Sequence, residues 1–277
     1  MKIAISTESA ADLGAGLLKE YGIFSIPFTV TLGNKDGLDG DITPKQIFDY
    51  VKTTGDLPKT SAINEEQFRE HFTKLLKDHD AVIHVSISHG FSVTHEKASN
   101  VAKTMKGVYA IDSLSLSSGI GLCAIYSAQL AKQGKPAEEI VKLVEKRVSK
   151  VQASFVIDKL NFLHKGGRCS GLARLSAMLL KIKPQIFLSE GKMNVGKKYF
   201  GKIGNCVEKY CEDKLAEHKP CLEYGFITYS TATPDMIEAA RKAMKDAGFK
   251  TVYETTAGAT ITSHCGENTL GILYFNE

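Results

Sequence analysis

Apolar residues follow two alternating rhythms along the first half of the chain. Short runs such as Ile3-Ala4-Ile5, Ala81-Val82-Ile83-His84-Val85 and Val108 to Ile111 have the length and β-branched content of buried strands. Between them, apolar positions recur at helical spacing: Leu13, Leu17 and Leu18, then Ala98, Val101, Ala102 and Met105, then Ile140, Val141, Val144 and Val148. Leu122 to Lys132 is apolar nearly all round and predicts a helix buried on several sides. Ile23 to Leu32 reads as a strand interrupted by Pro27, which belongs at an edge or a bend. Residues 33–41 read as a polar loop, and Lys59-Thr60-Ser61-Ala62 as a loop between helices opened by Thr43-Pro44 and by Asn64. This order predicts an α/β fold, with a mostly parallel sheet and helices on both faces over residues 1–150.

After residue 150 the rhythm changes. Gln152 to Ile157 is strand-like, and Ser170 is placed to cap a helix carrying Leu172, Leu175, Leu179 and Ile182. Gln185 to Leu188 and Lys192 to Lys198 are joined by Ser189-Glu190-Gly191, a hairpin signal. A helix with Ile203, Cys206, Val207 and Tyr210 follows, then a strand over Cys221 to Tyr229, a helix over Pro234 to Ala247, and strands at Thr251 to Tyr253 and Leu270 to Phe275. Residues 151–277 thus predict a second, mixed α/β domain, and with no linker between them the two halves should pack closely.

Composition narrows the function classes. A chain of 277 residues can bury two cores. Its net charge of +4, from 35 basic and 31 acidic residues, is too small to point to nucleic acid or a charged membrane surface. No apolar run approaches the ~20 residues of a membrane span, and the N-terminus enters Lys2-Ile3-Ala4-Ile5 without a signal peptide, so a cytoplasmic location is expected. The six cysteines are scattered without a C-x-x-C pair, which predicts reduced, buried thiols and no metal or disulfide.

The candidate chemistry lies in hydroxyls at strand-to-helix junctions. Ser86-Ile87-Ser88-His89-Gly90-Phe91-Ser92-Val93-Thr94-His95 joins a buried strand to a helix, whose N-terminal N–H groups favour a cap or an anion. Asp112 to Gly121 is a second such junction, holding Ser113, Ser115, Ser117 and Ser118. With Thr60 and Ser61 these loops are predicted to gather at the carboxyl ends of the strands. Hydroxyls there suit hydrogen bonding to a carboxylate, at about 1.5–3 kcal/mol for each bond to an ionised group. An alternative of another class is a small-molecule hydrolase or phosphate-substrate enzyme using Ser92 with His95 or His264. No G-x-S-x-G elbow, P-loop or metal-ligand spacing among His84, His89 and His95 supports it. Gly166-Gly167-Arg168 either presents Arg168 to an anion or breaks a helix.

Taken in order, several motifs resemble the DegV family over nearly the whole chain. They are Thr7-Glu8-Ser9 with Asp12-Leu13, Lys59-Thr60-Ser61, Phe91-Ser92-Val93-Thr94, Ile111-Asp112-Ser113, Ser117 to Gly121, Gly166-Gly167-Arg168, Lys183-Pro184, Gly191-Lys192, and Gly258 to His264 with Leu270-Gly271. The resemblance implies a two-domain bacterial protein that holds one long-chain fatty acid in a tunnel between the domains, with no cofactor and no catalysis of its own. In some members the carboxylate is presented to a separate fatty acid kinase, which makes acyl-phosphate for phospholipid synthesis, and transient membrane contact fits that role. Carried over residue by residue, Thr60 and Ser92 correspond to the carboxylate-binding hydroxyls, Ser61 and Ser118 lie nearby, and His264 sits at the mouth. Phe91, Ile120, Leu163 and Met178 are placed equally well for the tunnel wall and for ordinary core.

The chain departs from the family pattern at several points. Glu8 replaces an Asp, and Phe91-Ser92-Val93-Thr94-His95 replaces Leu-Ser-Gly-Thr-Tyr. Ala62-Ile63 stands for Gln-Pro, and Gly266-Glu267-Asn268 for Gly-Pro-Gly. Phe200 stands near an expected Arg of the kinase-facing surface. The lipid-binding expectation survives these departures better than the kinase partnership does.

Overall fold

The computed structural model describes residues 1–169, 182–217 and 219–277. The predicted helix capped by Ser170, with Leu172, Leu175 and Leu179, lies outside these residues, as does Met178, but its last predicted member, Ile182, begins a strand instead. In chain order the first half comprises β1 (Ile3–Glu8), α1 (Gly14–Tyr21), β2 (Ile23–Ile26), β3 (Thr29–Leu32), β4 (Lys35–Leu38), α2 (Pro44–Thr54), β5 (Lys59–Ser61) and α3 (Glu65–Leu76). It continues with β6 (Ala81–Ser86), α4 (Thr94–Thr104), β7 (Val108–Asp112), α5 (Ser118–Lys132) and α6 (Ala137–Val148). Four strands form a parallel sheet in the order β2-β1-β6-β7. Every residue of β6 is buried, as its uninterrupted apolar run requires.

Pro27 falls between β2, the edge strand of this sheet, and β3, which leaves it. A proline cannot donate to a ladder, so the chain turns away there. β3 instead pairs antiparallel with β4 and β5 in a small three-stranded sheet. The polar stretch 33–41 and the loop at Thr60 thus contain short strands, whose four- and three-residue pairings are too brief for an alternation signal. Capping held better: Thr43 and Asn64 each accept the N–H three residues on, from Gln46 and Gln67, and both form capping boxes.

The second half comprises β8 (Val151–Ile157), α7 (Asn161–Gly166), β9 (Ile182–Ser189), β10 (Lys192–Phe200), α8 (Ile203–Glu217), β11 (Pro220–Tyr229), α9 (Pro234–Asp246), β12 (Thr251–Thr256), α10 (Ala259–Cys265) and β13 (Thr269–Asn276). Its six-stranded sheet runs β10-β9-β8-β13-β11-β12, antiparallel throughout except for β11 and β12. The fold is therefore α/β, with a parallel sheet followed by a mixed one. The β9–β10 turn places Glu190 at φ 50° and Gly191 at φ 72°, the left-handed pair of a tight hairpin. Residue 150, the expected boundary, falls between α6 and β8, where the chain passes from one sheet to the other.

α5 explains how the halves meet. It packs on β1 and β6 of the parallel sheet and on β8, β11 and β13 of the mixed one. Eleven of its 15 residues are buried, as its apolar surround predicts. One hydrophobic cluster consequently runs from Ile5 and Ile83 through Ile120 and Leu122 to Phe155 and Leu273. Five of the six cysteines are buried, and Cys221 is half-buried. Among the described residues no helix is long and apolar enough to cross a membrane, and no cluster of His, Cys, Asp or Glu could hold a metal ion.

Candidate functional site

The carboxyl ends of β1, β6 and β7 deliver Glu8, Ser86 and Asp112 to one edge of the parallel sheet. The segment 87–93 that leaves β6 is fastened from several directions. Ile87 N donates to Glu8 Oε2 at 2.8 Å, and Ser88 N to the Ser115 carbonyl at 2.9 Å. Ser88 Oγ donates to the Gly191 carbonyl at 2.8 Å, tying the loop to the β9–β10 turn. Gly90 is required there, because a Cβ on it would lie 2.3 Å from the Gly191 oxygen. Glu8 is fully buried and also meets His84 Nε2 at 3.2 Å, while His84 Nδ1 hydrogen-bonds with Ser6 Oγ at 3.0 Å. His84 is thus a satisfied core histidine packed under Phe68 and Phe72.

Beyond this loop lies a cavity of about 430 Å³, lined by residues of both halves. Ile87, Phe91 and Leu116 supply apolar wall from one side, and Phe155, Leu163 and Leu273 from the other. Ile120, a second candidate for that wall, is core within α5 and does not line the cavity.

Thr60, Ser92 and His264 all line the cavity. Thr60 Oγ1 hydrogen-bonds with His264 Nε2 at 2.9 Å, across 204 residues of sequence. β5 pairs Thr60 directly with Val30, so both side chains share the face toward α10. Ser61 is a correction to the expected site. Successive strand residues point to opposite faces, and Ser61 is exposed and off the cavity wall. Ser118 is likewise displaced: it is fully buried behind the wall, 2.6 Å from Thr228 Oγ1, and its neighbour Ser117 lines the cavity instead.

Ser92 combines two tasks. α4 begins at Thr94 with Val93 in the cap position, and the Thr94 N–H donates to Ser92 Oγ at 3.2 Å. Ser92 Oγ also hydrogen-bonds with Thr94 Oγ1 at 2.7 Å. Val93, which stands where the resemblance expects a glycine, is 52% exposed and lines the cavity. Gly167, at φ 70°, ends α7, and Arg168 then reaches the cavity mouth, its Nη1 donating to the Gly166 carbonyl at 2.7 Å. The Gly-Gly-Arg turn therefore both stops a helix and presents a cation. Burial, reinforced by the Arg168 charge, lowers the His264 imidazole to about 4, which keeps it neutral at ordinary pH.

Two acidic side chains without a role assigned from the sequence hold α10, and with it His264. Asp39 accepts from Ala259 N at 2.7 Å, Thr260 N at 3.2 Å and Ser9 Oγ at 2.9 Å. Asp12 accepts from Gly258 N at 2.7 Å and is hydrogen-bonded to Ser117 Oγ. Burial drives the Asp12 carboxyl up to about 8 against those two bonds, and the Asp39 charge adds to the rise. Ser117 itself has φ 52° and ψ −144°, a backbone state costing about 1–3 kcal/mol for a non-glycine residue. The sequence signal was present in Asp12, which belongs to a quoted motif, but its partners are more than 100 residues away.

A largely apolar cavity at the ends of parallel strands, lined also by hydroxyls and a neutral histidine, has the chemistry to receive an amphipathic molecule. The chain belongs to the DegV family: the family model described as an uncharacterised protein of the DegV family matches residues 2–277. A DegV domain-containing protein of Caldanaerobacter subterraneus is 30% identical over 282 residues, covering 99% of this chain and 98% of that relative. The structure is similar to one described as fatty acid binding of a DegV family protein from Thermus thermophilus, with TM-score 0.92, 26% identity and complete coverage of both chains. It shares its fold with DegV, a fatty acid binding protein from Bacillus subtilis, at TM-score 0.85 and 24% identity with complete coverage of both chains.

Proposed function

We propose that this chain is a carrier that holds a long-chain fatty acid in a tunnel between residues 1–150 and 151–277, and that it performs no chemistry on it. The observation that carries this reading is the joint lining of one apolar cavity by Thr60, Ser92 and His264. The fatty-acid-binding relative from Thermus thermophilus supports it. Each buried methylene contributes about 0.8 kcal/mol, so the apolar wall supplies affinity while the hydroxyls select which end faces out. The hydrolase alternative lacks its central contact: Ser92 Oγ is engaged with Thr94, and His264 Nε2 with Thr60.

The test is the mass of whatever copurifies. Native protein, denatured and analysed by mass spectrometry, should release a fatty acid, and Ile261→Trp, which fills the cavity wall, should release none. An empty wild-type protein, or a phosphorylated polar ligand, would overturn the reading. The proposal extends to presentation of the carboxylate to a separate fatty acid kinase, supported by the exposed Arg168 at the mouth. Phe200, 62% exposed where an Arg is expected, bears on that partnership. Mixing loaded protein with such a kinase and ATP should yield acyl-phosphate, and no product would remove this extension alone.

A further inference from the structure

His89 stands at the boundary between cavity and solvent. It lines the cavity three residues before Ser92, and its side chain is 58% exposed. Its Nδ1 lies 2.5 Å from Asp112 Oδ2, and its backbone N–H points at the same oxygen at 3.3 Å. Asp112 Oδ1 accepts from Leu114 N at 2.9 Å. The carboxylate is therefore an acceptor on both oxygens, and the Nδ1 that meets it must be the donor. This bond fixes the orientation of the ring and commits one nitrogen. Among the described residues, Nε2 has no hydrogen-bond partner. The loop does not need the imidazole for its shape, since the backbone N–H groups of His89 and Leu114 already anchor it to Asp112.

We propose that His89, oriented by Asp112, is a further ligand for the carboxylate of the bound fatty acid, and that it makes this protein discriminate an acid from a neutral-headed lipid of equal length. The inference rests on the fatty-acid reading above and assigns its head-group site one more residue. With the Nδ1 proton committed to Asp112, Nε2 meets a carboxylate across a second proton, brought either by the ring or by the acid. The pair formed is imidazolium–carboxylate or imidazole–carboxylic acid, with no other bond made or broken. The ring faces Asp112 on β7 and interacts with His95 on α4, and Arg168 and His264 line the same cavity. Arg168 is a cation on that lining and favours an anionic head group in the cavity. The hydroxyls of Thr60 and Ser92 can bond an alcohol as readily as an acid, so discrimination has to come from a group of this kind.

The experiment compares release of palmitic acid and of hexadecanol to acceptor vesicles, using wild-type protein, His89→Ala and His89→Phe. Losing a charge-assisted hydrogen bond at a half-exposed site should speed palmitate release about tenfold in both variants. Hexadecanol release should be unchanged. His89→Phe keeps the ring volume, so agreement between the variants separates lost hydrogen bonding from lost packing. Equal acceleration of both lipids would assign His89 a structural role and overturn the inference, as would unchanged palmitate release. Wild-type protein that retains neither lipid would instead overturn the fatty-acid reading itself, a result visible without any variant.

Discussion

Asp39 offers the sharpest test of how the site is assembled, because one side chain joins the loop after β4 to the helix that carries His264. Its carboxylate accepts from the Ala259 and Thr260 N–H groups at the start of α10 and from Ser9 Oγ, and it is 8% exposed. Asp39→Ala removes all three bonds. Losing a buried cap costs about 2 kcal/mol. The stranded Ser9 hydroxyl adds about 1 kcal/mol, for a total near 3 kcal/mol. Asp39→Asn retains one acceptor oxygen and should cost about 1 kcal/mol. Urea unfolding reads the global loss as a lower midpoint at unchanged slope. Amide exchange at Ala259 and Thr260 reads the local one, with protection falling about thirtyfold for the alanine variant. Palmitate release should also accelerate, since α10 positions His264 against Thr60. The reasoning fails if Asp39→Ala stays within about 0.5 kcal/mol of wild type and exchange at the two amides is unchanged.

Two other predictions concern buried groups. Tyr210 is fully buried, donates to the Ser154 carbonyl at 2.6 Å and accepts from Ile272 N at 3.1 Å. Tyr210→Phe strands that N–H inside the mixed sheet and should lower stability by about 2 kcal/mol in chemical denaturation, and a neutral result would contradict the assignment. His264 and Asp12 should give opposite pH dependences. His264 is lowered from 6.5 to about 4, so the unfolded chain binds more protons between those values and acidification through that window destabilises the fold. Asp12 is raised from 3.8 to about 8, so the folded chain binds more protons and stability falls as pH rises across that range. Melting temperatures against pH for His264→Gln and Asp12→Asn, each subtracted from wild type, should slope in opposite directions, and slopes of the same sign would refute one of the two shifts.

Much of the fold was legible because its signals are local. The apolar run of β6, the all-round apolarity of α5, the Thr43-Pro44 and Asn64 caps and the Glu190-Gly191 turn each act over a few residues. β4 and β5 were missed because strands of four and three residues are fixed by pairing with β3, not by their own composition. The site divided along the same line. Ser92 and Thr60 stood out as hydroxyls in junction loops, while Asp39 carried no signal and Asp12 only its place in a motif, because the amides they hold sit 220 and 246 residues away.

By itself, then, the sequence determined the longer strands and helices and where its hydroxyls gather, since periodicity and capping are written within one or two turns of chain. The tertiary structure decided which hydroxyls face the cavity. Strand alternation turned Thr60 inward and Ser61 to solvent, and the left-handed backbone at Ser117 put that residue on the cavity wall ahead of Ser118. It also chose which histidines are used. His84 is consumed by Glu8 and Ser6, His264 is desolvated against Thr60, and His89 is left with one nitrogen on Asp112 and the other open. These outcomes depend on contacts between residues tens to hundreds of positions apart, which only the closed fold brings within hydrogen-bonding distance.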